Sequence, residues 1–170
     1  ISKINKKILV VASRENFSNV FNYAKSTDLI LHFYDILNCT IIKKIKILNI
    51  FDSHQIFYFH NKIFITETGK NQVQIYCLKN NCVIKKIFIG KIRKDINHVN
   101  SVYVGEEFTL IGLNNGNKNN FNNAQLIKIK TNIILDTEED LNVYNKGEVI
   151  NLVKTYHSHD IEYIHNNFYV

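Results

Sequence analysis

The sequence predicts an all-β fold assembled from repeated four-stranded units, and three observations carry that expectation. Apolar side chains alternate with period two: Ile63 and Ile65 against Phe64 and Thr66, then Val73, Ile75 and Cys77 against Gln74, Tyr76 and Leu78. Turn-forming runs such as His60-Asn61-Lys62 and Thr68-Gly69-Lys70-Asn71 separate the alternating stretches. The chain also repeats itself, since Ser53-His54-Gln55-Ile56-Phe57-Tyr58-Phe59-His60-Asn61 and Ser158-His159-Asp160-Ile161-Glu162-Tyr163-Ile164-His165-Asn166 agree at six of nine positions. Units of roughly 45 to 60 residues with four strands each have the repeat length of a propeller or a related array. The expected architecture is therefore a partial β-propeller of about three to four blades of four antiparallel strands, with at most a turn or two of helix.

Taken in order, the first copy occupies residues 1–51, with strands at 7–12, 28–34 and 38–50 and a polar, aromatic loop at 14–26. It lacks a leading strand. The second copy, 52–97, supplies a leading strand and then strands at 62–66, 72–78 and 82–89. The third, 98–156, carries strands at 100–104, 107–112 and 125–130 and an outermost strand at 148–156. Its low-complexity run at 113–123 cannot build a core, and Asp136, Glu138, Glu139 and Asp140 make an acidic connection. A fourth copy starts at His157. Because the chain has no initiating Met and stops on Phe168-Tyr169-Val170, it reads as a fragment of a longer propeller. Its end blades are then expected to expose uncovered faces.

Composition narrows the rest. With 170 residues and 45% hydrophobic content the chain can bury the core of one domain. It contains no apolar run of about 18 residues and no leading export signal, so no membrane span is expected and the compartment is left open. Cys39, Cys77 and Cys82 lack CxxC spacing, which disfavours a disulfide framework or a structural zinc and favours buried reduced thiols. The formal charge of +6 would favour nucleic acid only if basic residues gathered on one face. Instead Lys43-Lys44 and Lys85-Lys86 stand at equivalent points of two similar segments, as lysines guarding outer strand edges do.

One blade carries a more specific signature. Ile65-Thr66-Glu67-Thr68-Gly69-Lys70-Asn71-Gln72-Val73-Gln74-Ile75-Tyr76 resembles the repeat of the NHL-type β-propellers, while Ser13-Arg14-Glu15-Asn16 and Leu113-Asn114-Asn115-Gly116 occupy the equivalent turns without the Thr-Gly pair. The resemblance implies a ring of about six blades in the intact protein. It implies no single activity, because related propellers serve as binding platforms, lactone or ester hydrolases and metal-dependent lyases.

Short polar triplets precede the leading strands: Asp52-Ser53-His54, His98-Val99-Asn100 and His157-Ser158-His159. Residues two apart share a strand face, and leading strands line the central channel. Asp52, His54, His98, Asn100, His157 and His159 are thus expected to converge on one channel mouth as a ligand-binding site. A metal reading of the same mouth uses His54, His98 and His159, a donor set suited to a divalent metal with open positions. His60 and His165 fall where hairpins turn, and His32 reads as a hydrogen-bonded histidine on an apolar strand. Two functions compete. One is a binding module for a protein, peptide, glycan or small polar ligand; the other is a metal-assisted hydrolase or lyase using the triplets. No catalytic acid or base can be assigned, which favours the binding module.

Overall fold

The computed structural model describes residues 1–14, 26–90, 98–114, 124–143 and 146–150, with residues 151, 162–164 and 167–169 described by backbone alone. Strands Ser2–Lys3 (β1), Ile8–Arg14 (β2), Thr27–Asp35 (β3) and Thr40–Ile50 (β4) form an antiparallel sheet in chain order. Ile56–Phe59 (β5), Lys62–Glu67 (β6), Gln72–Cys77 (β7) and Cys82–Phe88 (β8) form a second sheet in the same way. The third comprises Val99–Val104 (β9), Phe108–Leu113 (β10) and Gln125–Lys130 (β11); after helix Thr131–Leu135 (α1) and strand Leu141–Asn142 (β12), Glu148–Asn151 (β13) completes it. A hairpin of Glu162–Ile164 (β14) and Asn167–Tyr169 (β15) follows. The described residues are all-β apart from α1 and a single 3-10 turn at Thr68–Lys70. Successive up-and-down sheets stacked face to face make a partial β-propeller. Residues 15–25 and 115–123 of the loops expected at 14–26 and 113–123, and the outer strand beyond 151, lie outside the described residues.

Register proves the repetition more closely than sequence does. In the first sheet Leu31 pairs with Ile45 and in the second Val73 pairs with Ile87; both ladders slip at the same place, between Phe33 and Tyr34 and between Ile75 and Tyr76. Each hairpin closes over four residues, 36–39 and 78–81, whose last member, Cys39 or Asn81, has positive φ. Likewise Tyr58 and Phe59 pair with Ile63 and Lys62 as Tyr163 and Ile164 pair with Phe168 and Asn167. His60 and Asn61 both take positive φ, the geometry of a two-residue I′ turn that matches the strand twist.

Period two buries both faces of the second sheet. Ile63 and Ile65, with Ile56 and Tyr76, pack on Val10, Leu29, Leu31, Phe33 and Ile45 of the first sheet. Phe64, Val73, Ile75 and Ile87 pack on Val99, Val102, Ile111 and Ile127 of the third. Each interface is an apolar layer between stacked sheets, the arrangement that removes most area from water.

Four expectations need correction. The first sheet does have a leading strand, the two-residue β1, paired to β2 through Ser2 with Val10. The cysteines are free, but Cys39 and Cys82 are exposed and Cys77 is half-buried, because Cys39 lies in one hairpin loop and Cys77 and Cys82 flank the next. The second sheet has a fifth strand beyond the four expected, since β12 joins it parallel to β8. Lys85 consequently is no edge guard. It is 5% exposed, and its Nζ donates to the carbonyls of Ile134 and Thr137 and to Thr137 Oγ1. Burial holds this ammonium below the ordinary lysine value, against the upward pull of Asp140 and Asp136.

One turn ties the sheets together. The fully buried Glu67 carboxylate accepts hydrogen bonds from Phe51 N–H at 2.9 Å, Gln74 Nε2 at 2.5 Å and Gln72 Nε2, and pairs with Lys70 Nζ at 3.0 Å. A Cβ at Gly69 would meet Phe51 Cβ at 3.0 Å, so any larger residue there would push on the Phe51 side chain. Replacing Glu67 by Ala strands these buried donors. A loss of about 2–4 kcal/mol is expected in urea unfolding. A loss near zero would show that the carboxylate is not structural.

Candidate functional site

The same turn fixes the loops that carry the candidate residues. Thr68 N–H donates to Asp52 O (3.0 Å) and Gly69 N–H to Phe51 O (3.2 Å). Thr66 Oγ1 accepts the N–H groups of His54 (3.2 Å) and Gln55 (2.8 Å). Across the interface Thr68 Oγ1 donates to Val99 O (2.5 Å), and Gln55 Oε1 accepts from Val102 N–H (2.5 Å). The sequence context explains these choices, since Thr and Gln present compact groups that can satisfy loop backbone without leaving buried atoms unpaired.

Asp52 and His54 meet, though not by strand geometry. Residues 51–55 form no strand, and Asp52 takes positive φ (54°), a conformation that Asp, Asn and His tolerate best. His98 does the same (47°) ahead of β9. Their carbonyls are held alike: Thr68 N–H binds Asp52 O, and Asn114 N–H binds His98 O at 3.1 Å. Both donors directly follow the second strand of their sheet. The shared element is therefore a left-handed residue locked by that position, not a common strand face.

Around Asp52 the side chains converge from three sheets. Arg14 Nη2 lies 2.8 Å from Asp52 Oδ1 and also donates to Ser53 O; His54 Nε2 lies 3.2 Å from Asp52 Oδ2. The His98 ring stands edge-on to His54 with centroids 5.3 Å apart. The Asp52 side chain is 10% exposed and that of His54 27% exposed, so the carboxylate is shielded and an imidazole faces outward. Arg14 ends β2, whereas residues 52–54 and 98 precede β5 and β9. Sequence reasoning missed Arg14. The only signal was its place in the turn equivalent to the Thr-Gly turn of the second copy.

Three further candidates complete the set read from the sequence. Asn100 is fully buried within β9, where the strand packs against the second sheet. His157 and His159 lie outside the described residues. Of the three proposed metal ligands, His54 and His98 approach each other, and no group of three or more His, Cys, Asp or Glu side chains among the described residues has metal-holding geometry. His60 is an exposed turn residue 2.8 Å from Glu106, and His32 accepts or donates a 2.8 Å bond with Ser13. Ser13 and His32 stand where Glu67 and Gln74 stand in the next sheet, by the ladder equivalence above. A pocket of about 210 Å³ lies elsewhere, between Lys62, Ile75, Ile84 and the α1 segment.

Burial pushes the Asp52 carboxyl up, but the hydrogen bond and charge of His54 and the charge of Arg14 outweigh it and hold the group below 3.8. A carboxylate depressed in the folded state contributes stability that is complete above its unfolded pKa and is lost as pH falls through the folded value. Wild-type stability should therefore decline on acidification below about pH 4. Asp52→Asn should be less stable at neutral pH and converge with wild type in acid. Urea midpoints against pH would read this; parallel curves for the two proteins would refute it.

No family model and no curated protein matches the sequence. Among solved structures the chain is similar to Kluyveromyces lactis Hsv2 with its loop 6CD complete, at 16% identity and TM-score 0.37, covering 64% of this chain and 30% of that one. It is similar also to the same protein with loop 6CD replaced by a Gly-Ser linker, at 16% identity and TM-score 0.37, covering 61% and 36%. The chain thus spans about a third of the length of these two solved structures.

Proposed function

We propose that this chain is part of an NHL-like β-propeller binding module whose Arg14–Asp52–His54–His98 cluster presents hydrogen-bonding groups to a polar ligand. Convergence supports the reading: residues from three successive sheets meet at the end where second strands finish and leading strands begin. A structural role alone would need only Arg14 and Asp52. The two imidazoles add groups that both donate and accept when neutral, which suits amide or hydroxyl groups of a peptide or glycan. The sequence repeat carries the reading to His157 and His159, because Ser158-His159 matches Ser53-His54 and the hairpin after each has the same register.

Residues 1–170 would be probed against arrays of short peptides and oligosaccharides, alongside the His54→Ala/His98→Ala double variant. Signals that depend on this site should fall at least about tenfold in the variant. An array pattern unchanged by the substitution refutes the binding site. In a parallel titration with zinc chloride alone, stoichiometric binding lost in the double variant would move the reading to a metal site.

A further inference from the structure

The hairpin between β7 and β8 sets two of the three cysteines face to face. Cys77 ends β7 and Cys82 begins β8, and the two are direct partners in the antiparallel register. Residues paired in this way project to the same side of the sheet with Cβ atoms about 4.5–5.5 Å apart, and their Cα separation falls within the range that a disulfide spans. Neither sulfur is shut away, since Cys82 is exposed and Cys77 half-buried. Burial first, and then the neighbouring Cys82 and Cys77 sulfurs, push the Tyr76 hydroxyl up from its ordinary value, which marks both sulfurs as close to one phenol. That hydroxyl donates to Asn81 Oδ1 at 2.8 Å and so fixes the last loop residue ahead of Cys82.

Turn chemistry does not account for the pair. The first sheet has the same hairpin, and there the flanking partners are Asp35 and Thr40. Asp35 Oδ1 accepts the N–H groups of Leu37 at 2.9 Å and Asn38 at 3.2 Å, and Oδ2 accepts from Asn38 Nδ2 at 2.9 Å, the ordinary way in which Asp satisfies a loop. A thiol is too weak an acceptor to replace it. Cys39, the third cysteine, belongs to that first hairpin and directs its Sγ at Ile36 O, 3.7 Å away.

We propose that Cys77 and Cys82 form a reversible dithiol–disulfide site that exchanges with low-molecular-weight disulfides of the glutathione class. The exposed Cys82 attacks as thiolate on one sulfur of the small disulfide: a Cys82–glutathione bond forms, the small S–S bond breaks and one glutathione thiolate leaves. Cys77, as thiolate, then attacks Cys82 Sγ, forms the protein S–S bond and expels the second glutathione thiolate. The two protons given up by the cysteines end on the two departing thiolates, and two electrons pass from the protein to the small disulfide. The loop that the bridge closes is already held by Leu78 N–H donating to Asn61 O and Asn81 N–H donating to Cys77 O, both at 2.9 Å, so closure orders little that is not already ordered. β7 runs from Gln72 beside the Glu67 turn to Cys77 at its other end, which separates this site from the Asp52 cluster.

Reduced residues 1–170 would be incubated with oxidised glutathione in native buffer, quenched with N-ethylmaleimide and mapped by peptide mass spectrometry. A Cys77–Cys82 cross-link is expected, exceeding the Cys82–glutathione adduct at least about tenfold because the second attack is intramolecular. Dithiothreitol should return both thiols, and Cys77→Ser should trap glutathione on Cys82. Amide exchange along 72–77 and 82–88 should be equally slow before and after bridging, since the ladder that aligns the sulfurs is present in both forms. Four results overturn the proposal: the Cys82 adduct accumulating in wild type with Cys77 unbridged, a cross-link to Cys39 in place of this pair, a bridge that forms only once urea is added, or loss of ladder protection on bridging.

Discussion

The fold and its candidate site both depend on one short turn, Thr66 to Asn71. Its buried carboxylate collects four donors, two of them amides on the next strand and one the N–H of Phe51 in the loop ahead of the sheet. A carboxylate is acceptor-only, so it can satisfy several converging donors that no amide or hydroxyl of that size could serve. Burial of the charge is offset only because every partner is in place. The two threonines extend the reach of the turn, one into the loop at 54–55 and the other into β9 of the neighbouring sheet. A single turn therefore sets the height of two successive loops.

That constraint gives the Asp52 cluster its form. Stacked sheets bring equivalent loops side by side, and the left-handed residues Asp52 and His98 start both loops in the same direction. The cluster is a product of stacking: no sheet holds more than part of it, and it would fall apart if the apolar interfaces slipped by one residue.

Two equivalent lysine pairs show how far the same local sequence can diverge. Lys43 lies open on β4, whereas Lys85 is enclosed with all three ammonium protons directed at oxygens. The difference lies in the length of a connection belonging to another sheet. Covering a sheet edge with a strap removes unpaired backbone from solvent, and α1 adds Ile134 to the core at the same place.

The alternation of Ile63 and Ile65 with Phe64 and Thr66 was enough to show a strand, and the Ser-His…His-Asn repeat was enough to show recurring hairpins, because both are local patterns of period and turn chemistry. The pairing of Asp52 with His54 was also legible as proximity, though the cause is a left-handed residue and not a strand face. Arg14, the burial of Asn100 and the fate of Lys85 were not legible. Each is decided by a neighbouring sheet: Arg14 reaches across an interface, Asn100 is covered by the sheet before it, and Lys85 is enclosed by a strap about 50 residues away. Sequence determines which faces are apolar and where the chain turns, since those follow from adjacent residues. Which polar groups meet depends on how the apolar faces stack, and only the tertiary structure fixes that.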